Sequence, residues 1–229
     1  TVEQMDRRAV HGEVHAQAGR RYPLLLGDGT AQTRQELTAR NPAAPTQVIG
    51  RVSRAAQADV TRAVQAAGEA QPRWAQLPVR ERAACLRRAA AMMRHQRELL
   101  AAWEILEVGK TWREADADVT EAIDYLEYYS WCMERLGSGG PLDQAPGERN
   151  VYRYLPRGVA AVIAPWNFPV GILTGMASAA LVTGNAVILK PAEQASVVAA
   201  QVAQILRAAG VPPPILQYLP GIGGEAGAA

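Results

Sequence analysis

Cysteine is scarce in this sequence, and so is unbroken apolar chain. The two cysteines, Cys85 and Cys132, show no CxxC spacing, so neither a zinc site nor a redox pair is expected. Lone thiols in helical, mostly polar contexts suit a reducing compartment, and a cytoplasmic location is expected. The longest apolar stretch runs over residues 168–182 and is interrupted by glycine, threonine and serine. It is short for a membrane span and fits a buried helix. The first twenty or so residues, "TVEQMDRRAVHGEVHAQAGRR", are polar and carry no apolar signal core. An excess of one charge is also missing. Lys plus Arg total 24 against 22 for Asp plus Glu, a net charge of +2. That gives no strong field for nucleic acid or a membrane surface, and the arginines are dispersed over helical faces. No internal repeat or low-complexity tract is present. "HGEVH" spaces His11 and His15 one helical turn apart, but no third ligand accompanies them, so no metal site is expected.

What is present is an ordinary globular composition, 48% hydrophobic and 20% charged over 229 residues. That length allows one large or two modest domains with a sizeable core. An amphipathic helix is expected over residues 1–20. Turn signals at "GDG" and "NPAAP" then separate short β-like runs, read as a small antiparallel strand set. Helices follow, the first with Asp59 as its cap and Val60, Ala63, Val64 and Ala67 on one face. A long one begins at a proline and ends near Gly109. Another carries Val119, Ala122, Ile123, Leu126 and Tyr129 on one side. From Gly137 to Gly158 the chain is rich in glycine and proline around an alternating "NVYRYLP", read as a β-hairpin excursion.

After it the rhythm becomes strand, helix, strand, helix, strand: "GVAAVIA", "PVGILTGMASAALVTG", "NAVILK", "SVVAAQVAQILRAAG", "ILQYLP". Continuous apolar strands alternating with helices indicate a parallel sheet covered on both faces. The expected fold is α/β. N-terminal helices and small strands (1–139) and a hairpin (140–157) lead into the start of a doubly wound, Rossmann-like core (158–229).

Ligand sites of such sheets form at the carboxyl ends of the strands, and three unusual loops lie there. In "APWNFP", Pro165 and Pro169 stiffen a loop holding Asn167, whose amide is an uncharged donor suited to an oxygen gaining negative charge. The plainer alternative is a turn in which the asparagine satisfies its own backbone. In "ILKPAE", Lys190 ends a strand and Glu193 follows three residues later. An ammonium and a carboxylate there can hold the diol of a ribose, and the carboxylate repels a 2′-phosphate. The alternative is a strand-end salt bridge. In "LPGIGGEAG", glycines 221, 223 and 227 resemble a dinucleotide fingerprint with one residue too many, opening a helix after a strand. The aromatic set Tyr125, Tyr128, Tyr129 and Trp131 fits helix packing better than a pocket.

The combination "VIAPWNFP", "GNAVILKPAE" and "LPGIGGEAG" resembles the aldehyde dehydrogenase superfamily. "EVGKTWREADADVTEAIDYLEYY" and "RYPLLLGDG" resemble its 1-pyrroline-5-carboxylate dehydrogenase branch. The resemblance runs from about residue 15 to the last residue. It implies NAD as cofactor and oxidation of glutamate semialdehyde to glutamate in proline catabolism. By the same resemblance, Asn167 donates to the oxyanion of the thiohemiacetal, and Lys190 and Glu193 bind the adenosine ribose. Ile163, Ala164, Pro165, Trp166, Gly223 and Gly227 line the cofactor cleft. Phe168 is an aromatic wall of the aldehyde tunnel, and Glu121 borders it. The hairpin mediates a homo-oligomer. Members of the family are about twice this length, with about five parallel strands where three are visible here. Their nucleophilic cysteine and general-base glutamate match no position of this chain, and Cys85 and Cys132 carry no matching motif. Two further expectations follow: these residues alone are inactive, and the sheet has an exposed edge that favours association. The alternative is a non-catalytic nucleotide-binding or assembly fragment.

Overall fold

The computed structural model describes residues 10, 12–27, 29–137, 139 and 142–227. Residues 12–17 are helical, while residues 1–9 and His11 lie outside the described set. The strands are β1 (Arg20–Tyr22), β2 (Leu24–Leu26), β3 (Gly29–Ala31), β4 (Glu36–Asn41) and β5 (Ala44–Ser53). Four helices follow: α1 (Gln57–Gln76), α2 (Val79–His95), α3 (Arg97–Val108) and α4 (Trp112–Gly137). Then come β6 (Val159–Ala164), α5 (Gly171–Val182), β7 (Ala186–Pro191), a short 3₁₀ turn (Glu193–Ala195), α6 (Ser196–Ala208) and β8 (Leu216–Tyr218).

Two sheets form, in the orders β1-β5-β4 and β3-β2-β8-β7-β6. β6, β7 and β8 are parallel, as the alternating rhythm requires. The early strands are not one antiparallel set. β1 runs parallel to β5, and β2 leaves to pair antiparallel with β8 at Leu25 and Tyr218. The flank of β8 is thus covered by the β2–β3 hairpin, and, with β3 at one end, the other edge strand of the larger sheet is β6. That strand is not covered on both faces, since Ala161 and Ile163 are exposed, whereas every residue of β7 is buried.

The long helix expected up to Gly109 is broken in two. Gln96 leaves helical geometry at φ −103°, ψ 16°, and the chain restarts as α3. Gly109 ends α3 with φ 74°, a conformation that favours glycine. Asp59 is not the cap residue itself: it sits in the first turn of α1 and reaches back to accept from the Ala56 amide at 2.9 Å. In place of the predicted hairpin strands, residues 142–157 carry a turn at Pro146–Gly147 and no ladder. Side-chain amides replace backbone pairing between its arms. The Gln144 carbonyl oxygen accepts from the Asn150 amide at 2.7 Å, and Asn150 Nδ2 donates to the Asp143 carbonyl at 3.0 Å.

Core packing sets the helices against the sheet. Trp103, Leu100, Met93, Leu126, Leu173, Leu181, Leu189, Leu206 and Tyr218 are fully buried in it. A buried arginine joins two helix ends. Arg82 donates to the Val182 carbonyl of α5 at 3.0 Å, to the Ala75 carbonyl of α1 at 3.1 Å and to the Leu77 carbonyl. It satisfies carbonyls that the C-termini leave without intrahelical partners.

Candidate functional site: three loops at one end of the parallel sheet

β6 and β7 lie in register, with Ile163 opposite Lys190 and Ala164 opposite Pro191, so the chain leaves both strands at the same sheet end. β8 flanks β7 on the other side, with Tyr218 opposite Leu189. Beyond it the Leu219 amide donates to the Leu189 carbonyl at 2.8 Å, and the Ala55 amide donates to the Pro220 carbonyl at 2.8 Å. The three loops singled out in the sequence therefore share the carboxyl end of one sheet, where α/β folds place ligands.

In the first loop Pro165, Trp166, Asn167 and Phe168 are exposed and Pro169 is buried. The Asn167 side chain makes no hydrogen bond among the described residues. Its amide is thus not spent on its own backbone. The loop is anchored where it enters α5: the Val170 and Gly171 amides donate to the two oxygens of Asp118 at 3.2 and 3.0 Å. A carboxylate there satisfies open N–H groups and faces the positive end of the helix. Gly171 is required by that contact, because a Cβ would lie 2.4 Å from Asp118 Oδ1 and 3.0 Å from Glu121 Oε2. Glu121 is exposed beside the loop exit and accepts from the Tyr125 hydroxyl at 3.1 Å.

The helix after β7 is capped in the same way. Glu107 accepts from the Val197 and Val198 amides, both at 2.7 Å. Burial pushes its carboxyl up to about 8, against the pull of those two amides. A third buried carboxyl, Glu104, faces Lys110, whose Nζ lies 3.1 Å from Glu104 Oε2 and 3.2 Å from Asp118 Oδ2. Burial and the Asp118 charge raise Glu104 to about 9, with Lys110 acting in the opposite direction.

In the second loop Lys190 is buried at the end of β7, with Nζ 3.5 Å from Glu193 Oε1. That oxygen also accepts from the Gly223 amide at 2.7 Å. Partial burial pushes the Glu193 carboxyl up. Its own amide, the Gly223 amide and the Lys190 ammonium outweigh this and hold it below the usual range. The carboxylate thus joins the second loop to the third.

The third loop carries a turn over residues 223–227, with the Ala226 amide donating to the Ile222 carbonyl at 3.0 Å. Its glycines divide by role. A Cβ on Gly221 would meet Ala226 Cβ at 2.6 Å, and one on Gly227 would meet the Gly223 carbonyl at 2.7 Å. These two let the turn fold on itself. Gly223 and Gly224 instead face open space, with only Glu193 Oε1 at 3.9 Å from a Cβ on Gly223. Gly223 and Gly224 thus leave the outer side of the turn uncrowded, with the Gly223 N–H given to Glu193, and Gly227 serves the turn's own packing.

A cleft of about 630 Å³ opens between the first two loops and β4. Trp166, Glu193 and Gln194 line one side, and Leu37–Arg40, Pro42, Glu107 and Val108 line the other. The β4 wall and the four charged residues beneath the loops, Glu104, Glu107, Lys110 and Asp118, were not anticipated from the sequence. One signal was available in "WEILEVGK": Glu104 and Glu107 fall in the same buried stripe as Leu100 and Trp103. A carboxylate in phase with a core stripe implies a buried partner.

Both cysteines are free thiols. Cys85 is buried, and burial raises its thiol despite Arg88 Nη2 at 3.1 Å. Cys132 is half-buried on α4. Among the described residues no cluster of His, Cys, Asp and Glu has metal-binding spacing, and no helix is long and apolar enough to cross a membrane.

Comparison with known proteins agrees with this geometry. A 1-pyrroline-5-carboxylate dehydrogenase of Geobacillus thermodenitrificans is 46% identical over 215 residues, covering 94% of this chain and 42% of the relative. The crystal structure of 1-pyrroline-5-carboxylate dehydrogenase from Thermus with bound NAD superposes with a TM-score of 0.94 at 42% identity, covering 98% of this chain and 44% of that one. Proline utilization A from Bdellovibrio bacteriovorus superposes with a TM-score of 0.97 at 37% identity, covering 99% and 24%. The chain thus spans less than half the length of these relatives. The sequence profile of the aldehyde dehydrogenase family matches residues 30–229, a span that takes in all three loops and the acidic caps beneath them. The chain belongs to the aldehyde dehydrogenase family.

Proposed function

We propose that this chain provides the cofactor-binding part of an NAD-dependent dehydrogenase that oxidises L-glutamate 5-semialdehyde to glutamate in proline catabolism. One observation supports it above the others: the Glu193 carboxylate, beside the Lys190 ammonium, accepts from the Gly223 amide at the mouth of a cleft that Trp166 lines. The similarity to relatives named 1-pyrroline-5-carboxylate dehydrogenase supports this choice of substrate.

The residues fit the adenosine end of NAD. Lys190 can donate to a ribose hydroxyl and Glu193 can accept from one, and the ionised carboxylate disfavours a 2′-phosphate. The uncrowded turn at Gly223 and Gly224 leaves room for the pyrophosphate, and Ile163, Ala164, Pro165 and Trp166 form the adjoining rim. Bound NAD supplies the hydride acceptor. Asn167, held in a proline-stiffened loop with its amide unspent, donates to the oxygen that gains charge when a thiolate adds to the aldehyde. Little reorganisation is needed at that moment. Phe168 and Glu121 border the path of the aldehyde. The reaction also needs a thiolate and a general base, roles that neither Cys85 nor Cys132 is placed to fill.

The exposed Val151, Tyr152, Tyr154 and Leu155 on the 142–157 arm suit the homo-oligomer contact, and two free thiols suit the cytoplasm. The test is NADH formation by the purified protein with glutamate semialdehyde and NAD, alone and after mixing with a separately prepared C-terminal half of a relative. Turnover that needs Asn167 and prefers this aldehyde to acetaldehyde supports the proposal. A preference for unrelated aldehydes in either preparation sinks the substrate assignment.

A further inference from the structure

We propose that Lys110 is the positioning residue of the Asn167 loop, acting through the ring of Phe168. The chain contains two lysines, Lys110 and Lys190, and both lie at the same end of the sheet. Lys110 follows the left-handed Gly109 that ends α3, so its stem turns inward beneath the first loop instead of continuing the helix. Its side chain is only 10% exposed, and its ammonium lies between Glu104 Oε2 at 3.1 Å and Asp118 Oδ2 at 3.2 Å. The remaining side of the ammonium faces the Phe168 ring, with Nζ 4.4 Å from the centroid. A desolvated cation over an aromatic face is attracted by the ring quadrupole, and that attraction is directional.

No aromatic ring among the described residues pairs with Phe168, and the residue is 45% exposed. No ring stacking holds its orientation, which leaves the ammonium as its directional partner. The same Asp118 carboxylate that holds Lys110 also holds the Val170 and Gly171 amides. One buried group thus ties down the loop's exit and, through Lys110, the side chain two residues earlier. Asn167 lies between Pro165 and this double anchor. The inference that the ring's orientation shapes the aldehyde path rests on the function proposed above; the contact itself does not.

Phe168 is the single phenylalanine of the chain, which gives a direct probe. The full chain is labelled with ring-¹³C phenylalanine and ε-¹³C lysine, so one ring and two lysine ε-methylenes are observed. The wild type is expected to show a nuclear Overhauser contact between the ring and one of the two lysines. In Lys110→Met that contact is lost and the ring signals move toward free phenylalanine. In Lys110→Arg they stay near their wild-type positions, because the charge is kept. Absence of the wild-type contact overturns the inference, whether or not either variant folds. So does a folded Lys110→Met whose ring signals superpose on the wild type. The experiment needs no turnover and no NAD, so failure of the functional proposal leaves its outcome unchanged.

Discussion

Truncating Glu107 to alanine exposes how much the fold depends on carboxylates placed at helix starts. Both carboxylate oxygens accept from buried amides of α6, each at 2.7 Å. Removing them strands two N–H groups at about 1–3 kcal/mol each, together about 2–6 kcal/mol. Against a total of about 5–15 kcal/mol that is a large share. At about 2–4 °C per kcal/mol for a chain of this size, the melting temperature should fall by at least about 4 °C. Glu107→Gln keeps the shape and one carbonyl acceptor and should lose less. Circular dichroism melts and urea titrations at pH 6 measure both variants. A Glu107→Ala chain within about 0.5 kcal/mol of the wild type would refute the reasoning.

The pH dependence tests the same groups, since Glu104 and Glu107 are raised to about 9 and about 8 from an ordinary 4.5. The folded state then binds more protons than the unfolded state between those values. Stability is full below about pH 4.5 and is lost as pH rises through 8 and 9, by up to about 1.4 kcal/mol per pH unit per group. Urea midpoints taken from pH 5 to 9 should fall, and fall less steeply in Glu107→Gln; a rising trend contradicts the assignment. Arg82→Met should cost about 2–5 kcal/mol, because carbonyls at the ends of α1 and α5 lose a common buried donor. A melt within a degree of the wild type would show that solvent replaces it. Gly171→Ala sets a methyl group 2.4 Å from Asp118 Oδ1 and should destabilise by about 1–3 kcal/mol. An unchanged melt would mean that the Asp118 cap is dispensable.

The parallel core was legible because its strands are unbroken apolar runs separated by helices of ordinary length, and the three loops because proline, glycine and paired charge are strong local signals. The break at Gln96 was not, since "MMRHQRELL" has good helix formers on both sides and the interruption is made by packing. Nor was the crossing of β2 to β8, a contact between Leu25 and Tyr218 that no local pattern encodes. The acidic caps were hidden for a different reason. Asp118 and Glu107 read as surface charges on helices, and their amide partners lie on separate helices, 52 and 90 residues away in sequence. Asn167, Lys190 and Glu193 stood out because their loops are unusual, and the buried charges beneath those loops did not because each of those residues is individually ordinary.

The most direct test of the account is isothermal titration of NAD and NADP into the purified chain and into Glu193→Gln. The account predicts saturable binding of NAD, markedly weaker binding of NADP, and a Glu193→Gln chain that loses NAD affinity and much of the discrimination. Equal binding of the two cofactors, or NAD affinity untouched by Glu193→Gln, would contradict the assignment of these three loops to the adenosine site.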